Sequence, residues 1–404
     1  MYLTKKVEGN LYKKILVSVL CVSPVLSIAM DNVSIYGFGT IGLTYQNNEN
    51  IIYESNWRMD RGTDGDVSLQ NDSKFGLQLD WQIHPKLSFT IQGSVDSAGA
   101  TLEWANLKYN ITDELDIKVG QMRFPTAMYS DILKVSYSYD WVRLPEDVYG
   151  ILPLTSYQGA ELNYQTIYKD IEYHIKFYGG TSKDTMVGTK DVGDYDIELK
   201  HTFGVNLALI FDSLEIYTGY TQTDISITND RINMYFDALY QSDISPIQKD
   251  ILKDYDPRDK KTKYLSLGFK YNYRNAYLLG EYVDIDMNNI ISDNYAWYLT
   301  AGYHIDKFTP NITYSKVTGR SNYQVETGNE QIDKDLQEMA ERTLTSQEHI
   351  TLGVRYDIKE NIALKAQYDH IKESDKGRGI SIHKEEPYEP TDIDLFSLSM
   401  DFIF

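Results

Sequence analysis

Residues 392–404 read DIDLFSLSMDFIF. Phe396, Leu398, Met400, Phe402 and Phe404 share one side of an extended strand, and Ser397, Ser399 and Asp401 the other, because side chains alternate with period two. The apolar row runs unbroken to the last residue. The upstream chain reads as a series of strands that this segment closes onto.

At the other end, residues 1–29 have the form of a secretory signal. Lys5, Lys6, Lys13 and Lys14 precede the apolar run 15–28, and Ser27-Ile28-Ala29 is a small-x-small site for cleavage after Ala29. The apolar run is short for a membrane-spanning helix. Cys21, the only cysteine, lies inside the signal, so the mature chain 30–404 has no thiol to pair. Removing the signal takes four lysines and one glutamate, so 39 basic against 59 acidic residues becomes 35 against 58, a formal charge of −23. That balance excludes the basic footprint of a nucleic-acid binder. Beyond the signal no apolar run is long enough for a transmembrane helix. Strands of a barrel need none, since only alternate residues meet lipid.

Strand-like alternation recurs along the chain. Residues 33–45 form a first strand, and 74–83 a second with Phe75, Leu77, Leu79, Trp81 and Ile83 on one side. Then follow 86–96, 101–111, 114–124, 157–168, 171–179, 200–211, 214–227, 263–273, 276–287, 295–305, 308–317, 347–358, 361–372 and 392–404. These make about sixteen strands, in the even-numbered range of transmembrane antiparallel barrels. Short turns alternate with long connections (46–70, 124–156, 181–199, 228–262, 318–346 and 373–391), with 97–100 a short exception. An outward aromatic stands near many short turns: Trp81, Tyr109, Tyr164, Phe211, Tyr271, Tyr303, Tyr356 and Phe402, with Phe404 at the end. A ring of aromatics at one height suits a membrane–water interface, and 34 tyrosines supply it. The fold class is therefore all-β: an antiparallel barrel with grease outside and water within. Two connections carry helical spacing, at 231–252 and 330–342, and are expected to cover the barrel mouth.

Gly37-x-Gly39-x-x-Gly42 matches a dinucleotide fingerprint only formally, because its glycines lie inside a strand rather than opening a helix. Such glycines mark a close approach by another backbone, here that of a neighbouring subunit. Asp60, Asp64 and Asp66 beside Gly62 and Gly65 lack the terminal Glu of a calcium loop, and the seven histidines show no metal spacing. No metal or other cofactor is expected.

The connection 124–156, FPTAMYSDILKVSYSYDWVRLPEDVYGILPLTS, is too apolar and aromatic for a solvated loop. Trp141, Val142, Leu144, Val148, Tyr149 and Ile151 need a wall, and folding inward after strand five supplies one. This loop, the glycine-rich first strand and the closing Phe resemble the trimeric porin family of Gram-negative outer membranes. The resemblance runs over the whole mature chain by architecture rather than by an invariant motif. It implies passive diffusion of small hydrophilic solutes and ions through a constriction, with acidic loop groups facing basic wall groups. Carried over, the loop contributes Asp131, Asp140, Glu146 and Asp147, and the wall Lys74, Lys108, Lys118, Arg123, Arg355 and Lys365. Arg143 in the loop departs from that pattern, as do many inward acids, among them Asp80, Glu161, Glu281 and Asp369. A weak cation preference follows from the ring-of-charge logic of channels. The resemblance further implies a homotrimer, contact with lipopolysaccharide, and recognition of the last strand by the barrel-assembly machinery.

Other classes make distinct demands. A barrel enzyme needs a nucleophile and base in register; the strand-borne His174, His349 and His370 have no evident Ser and acid beside them. A substrate-selective channel calls for a basic or aromatic run along one lumen face, and a sealed barrel points to a surface receptor.

Overall fold

The computed structural model describes residues 32–54, 62–151, 154–187, 193–320, 325–380, 382–383 and 388–404; the expected signal and Asp60 lie outside them. Alternating side chains build sixteen long antiparallel strands. The first five are β1 (Val33–Gln46), β2 (Lys74–His84), β3 (Leu87–Asp96), β4 (Gly99–Asn110) and β5 (Leu115–Arg123). Next come β6 (Ser156–Tyr168), β7 (Ile171–Met186), β8 (Tyr195–Ile210), β9 (Leu214–Thr228), β10 (Lys260–Tyr273) and β11 (Ala276–Asp286). The last are β12 (Asp293–Tyr303), β13 (Phe308–Arg320), β14 (Ser346–Lys359), β15 (Ile362–Glu373) and β16 (Asp392–Ile403). Each pairs with its neighbours in sequence, and β1 pairs with β16, so the sheet closes into a barrel with no free edge.

The barrel is inside out relative to a soluble domain. On β1 and β16, Ile41, Leu43, Phe396 and Leu398 are 42–58 % exposed, while Thr40, Thr44, Ser397 and Asp401 between them are buried. Short turns gather at one end. At Lys169-Asp170 both residues have positive φ (51° and 64°), the backbone of a tight hairpin turn whose twist matches its strands. Near this end stand Trp81, Tyr109, Tyr164, Tyr271 and Tyr303, all exposed, with Tyr356 and Phe402 part-exposed and Phe211 just past β8.

Within the chain, Gly37 and Gly39 make room for aromatic rings and Gly42 for the close approach of Asp72. A side chain at Gly37 or Gly39 would run into the ring of Phe404 or Phe402. Phe404 also exchanges backbone hydrogen bonds with Gly37, at 2.8 and 2.9 Å.

Three expectations are corrected. The connection expected at 181–199 is mostly strand: β7 reaches Met186 and β8 starts at Tyr195. A register shift between Gly180 and Ser182, with His201 at φ 50°, changes the phase of the alternation and hides the continuation. The expected helix over 231–252 is two, α2 (Asp230–Gln241) and α3 (Pro246–Tyr255), because Ser245 and Gln248 form a capping box that starts a new helix. With α4 (Glu330–Arg342) they bury Phe236, Leu252, Ile332 and Leu336 at the long-loop end. Finally, the inner wall is not uniformly polar. Leu279, Val283, Ile285, Tyr298 and Val317 face inward from β11–β13 and form one cluster with residues of the connection after β5.

Candidate channel constriction

The connection between β5 and β6 leaves the wall at Arg123, whose buried guanidinium sits on Glu103 and donates to the Ser130 carbonyl at 2.8 Å. Two short 3-10 turns, Ser130–Ile132 and Ser136–Ser138, and a one-turn helix α1 (Glu146–Tyr149) follow. The amide of Met128 and the hydroxyl of Tyr149 both donate to Glu281 on β11, at 2.7 and 2.6 Å. One inward carboxylate therefore holds both arms of the loop.

Across the lumen the loop is tied to the opposite wall. Trp141 Nε1 donates to Thr313 on β13 at 2.8 Å, and the Val142 amide to Gln367 on β15 at 2.7 Å. Lys365 on β15 donates to the carbonyls of Ser136 and Trp141, at 2.6 and 2.8 Å, while Asp401 lies 2.7 Å from its ammonium. Arg355 on β14 donates to the Tyr137 carbonyl at 2.7 Å. The tip is fixed by Arg143, which reaches Asp72 and Asp369 at 2.7 Å each, Ser397 at 3.0 Å and Thr44 at 3.2 Å. A planar guanidinium suits this task because its donors fan out in fixed directions. Trp141, Val142, Leu144 and Val148 bury their side chains against the wall.

The loop acids do not share one face. Asp131 meets Lys176 on β7 at 3.1 Å. Asp140 accepts from Tyr277 at 2.8 Å and lies 3.8 Å from Arg355. Asp147 is fully buried and accepts from Gln347 at 2.7 Å and from Ser315. Glu146 accepts from Tyr53 at 2.6 Å; burial pushes its pKa up to about 7, against the opposing pull of Arg143. Among the wall cations, Lys118 sits on Glu161 at 3.0 Å and Lys108 on Asp116 at 3.4 Å; Lys74 faces Thr40 across β1 and β2. Of the wall residues read from the sequence, Arg355 and Lys365 meet the loop's middle and Arg123 its base, whereas Lys108 and Lys118 pair with wall acids.

Sequence reasoning missed Asp72, Lys176 and Tyr53. The alternation that puts Glu172 and His174 inward also puts Lys176 inward. Nothing local marks Asp72, which lies just before β2, or Tyr53 in the connection after β1. Ile51 and Tyr53 fold back to bury against Ile371, Ile393 and Leu395. Among the described residues no cluster of His, Cys, Asp and Glu forms a metal site, and no helix is long and apolar enough to cross a membrane.

A closed sixteen-strand barrel with an apolar exterior and a loop laid across its interior is the architecture of an outer-membrane channel. The family model for Gram-negative porins matches residues 17–376, and the chain belongs to that family. It is an outer-membrane diffusion channel. Among solved structures it is similar to Salmonella typhi OmpF in complex with daunomycin, at 15 % identity and TM-score 0.55, over 94 % of this chain and 100 % of that one. The outer-membrane channel DcaP of Acinetobacter baumannii is similar at 9 % identity and TM-score 0.56, over 93 % and 99 %. An anion-selective porin from Comamonas acidovorans is similar at 14 % identity and TM-score 0.51, over 92 % and 99 %. None of the curated proteins matches the chain. The family match stops before β16, yet β16 is the strand that closes the ring.

Proposed function

We propose that small hydrophilic solutes and ions diffuse along the β2–β7 side of the lumen, past the loop residue Asp131, with a weak preference for cations. Most ties of the loop run to β1 and β11–β16, against two ion pairs on the other side, Lys134 with Asp96 on β3 at 2.6 Å and Asp131 with Lys176 on β7 at 3.1 Å, and this imbalance favours passage there. There Asp80, Lys108, Asp116 and Lys118 keep part of their surface exposed. The observation that carries the cation preference is the company each charge keeps. Lys108, Lys118 and Lys176 each have a carboxylate within 3.4 Å, while Lys74, at the long-loop end of β2, faces Thr40 and has no ion pair among the described residues. Asp80 instead accepts from two neutral donors, Thr90 at 2.6 Å and Gln78 at 2.8 Å, and keeps its charge unbalanced. A fixed negative charge in a narrow aqueous path raises the local concentration of cations.

The test is the reversal potential of purified protein in planar bilayers across a salt gradient. Wild type is expected to favour potassium over chloride, and Asp80→Asn to shift the potential toward zero. Clear anion preference in wild type, or no shift in the variant, would reject the reading.

The same reading takes the chain as a homotrimer. At the long-loop end of β1–β6 the outward residues include Ile41, Leu43, Phe75, Val95, Val119 and Ala160, an uncharged arc suited to another subunit. Trp81, Tyr109 and their neighbours would lie at one membrane interface, with lipopolysaccharide at the other and β16 presented to the assembly machinery.

A further inference from the structure

One row of the strand ladder crosses the inner wall from β1 to β4. Tyr36 stands opposite Gln78, Gln78 opposite Gln92, and Gln92 opposite Trp104. Tyr36 shares the inward phase of Thr40 and Thr44, against the outward Ile41 and Leu43, and its ladder partners face inward with it. Trp104 accordingly packs on the edge of the interior cluster. An aromatic ring thus stands at each end of the row, three strand spacings or roughly 14 Å apart. The amides between are held in fixed directions. Gln92 Nε2 donates to Gln78 at 2.8 Å, and Gln78 Nε2 to Asp80 at 2.8 Å; Asp80, in the next row, also accepts from Thr90 at 2.6 Å.

Tyr36 is unlike the other inward tyrosines. Tyr157, Tyr178, Tyr264, Tyr277 and Tyr298 are buried, whereas Tyr36 is 51 % exposed. Among the described residues its side chain has no hydrogen bond and no ring contact, and no hydrogen bond or ion pair from the constriction loop ends on any of the four residues. A ring left in channel water forfeits the burial that its neighbours obtain. Packing therefore does not account for the row, and its polar groups are oriented without being used by the loop.

We propose that this row is a binding strip for neutral oligosaccharides, a step that rests on the channel reading above and gives its solute a class. The two rings pack against the apolar faces of sugar units. Gln78, Gln92 and Asp80 exchange hydrogen bonds with sugar hydroxyls, which both donate and accept. Rings this far apart are bridged only by a ligand longer than one sugar. An anionic solute finds no free cation here, because Lys118, beside the row, sits on Glu161 at 3.0 Å. An organic cation would suit Asp80 and the Tyr36 ring. The Lys118 ammonium, however, lies 5.7 Å over the Trp104 ring and repels a second cation there, while it can still donate to a hydroxyl.

The test records potassium chloride current through the purified protein in planar bilayers while maltotriose, cellotriose, glucose or tetraethylammonium is added. Wild type is expected to show a saturable block by a trisaccharide, with glucose needing about tenfold more for half block, the worth of one ring contact. Tyr36→Ala should raise the trisaccharide concentration for half block by about the same factor. Tyr36→Phe, which keeps the ring, should stay near wild type, as should Leu77→Ala on the outward face of β2. Trp104→Ala should act like Tyr36→Ala; if it folds poorly, the exposed Tyr36 carries the test alone. Three results overturn the proposal: no block by either trisaccharide, equal block by glucose and trisaccharide, or a Tyr36→Ala channel blocked like wild type. So does a Tyr36-dependent block by tetraethylammonium where sugars have none. Current without sugar block leaves the channel reading standing, whereas absence of any current defeats both.

Discussion

Replacing Arg143 by alanine should loosen the loop without unfolding the barrel. The guanidinium is 9 % exposed and is bonded to two carboxylates, each 2 % exposed or less as side chains, and to two hydroxyls. Truncating it leaves Asp72 and Asp369 facing each other's charge with their main cation gone. Breaking a buried ion pair by removing one partner costs about 3–5 kcal/mol. That loss falls on the loop tip, because β15 and β16 keep their backbone ladder whether or not Arg143 is present. Single-channel recording in planar bilayers should therefore show a larger mean conductance with frequent transitions between levels, against a steady level in wild type. Arg143→Lys should lie between the two, since an ammonium keeps the charge but loses the fan of donors. Combining Arg143→Met with Asp72→Asn and Asp369→Asn should restore much of the urea resistance, because it removes the stranded charges with the cation. An Arg143→Ala channel with wild-type conductance, noise and urea midpoint would refute the argument that this residue fastens the loop.

Two further perturbations follow from the same geometry. Glu146 has its pKa raised to about 7 from a usual 4.5, so the folded chain holds this proton more tightly than the unfolded chain does. Stability should fall as pH rises from about 4.5 to about 7 and level off above, by about 3 kcal/mol in all; Glu146→Gln should flatten that slope in urea titrations, and a variant that keeps the slope contradicts the assignment. Gly37→Val would drive a branched side chain into the Phe404 ring and should lower the temperature at which the barrel loses its compact gel mobility, by a cost of about 1–3 kcal/mol; an unchanged temperature would mean that the ring moves aside freely.

The strand count was legible because most strands keep one phase of alternation from end to end. Where a bulge changes that phase, at Gly180–Ser182, the pattern reads as loop and the strand is cut short. The helix over 330–342 showed its spacing plainly, whereas the Ser245-Pro246 restart broke one expected helix into two. The loop's need for a wall could be read from Trp141, Val142 and Leu144. Which wall it chose could not, since its anchors Asp72, Gln367 and Asp369 are 71 to 226 residues away in sequence. The charges posed the harder problem. Alternation says that Lys365, Arg355 and Asp369 point inward, but not that the loop's own carbonyls and Arg143 have already claimed them.

The apolar cluster inside the barrel does not make this a filled domain, because its two sides have different origins. One side is the inner face of β7–β13, fixed by the ladder of the closed sheet; the other is the loop, which has no strand pairing with the wall and is held by its own packing and by wall side chains that bond to it. Burying Trp141, Val142, Leu144 and Val148 contributes about 1.5–3 kcal/mol for each large side chain, which for the four together exceeds the about 3–5 kcal/mol set on losing Arg143. Loss of Arg143 therefore removes no more than one or two of those burials offset. The loop should stay seated and only its tip should move, which is why flicker, and not a permanently wide pore, is the expected signature. Polar anchors then set where the loop lies and apolar burial sets whether it lies there at all. To open the channel fully, a substitution would have to act on Trp141 and its neighbours rather than on the charges.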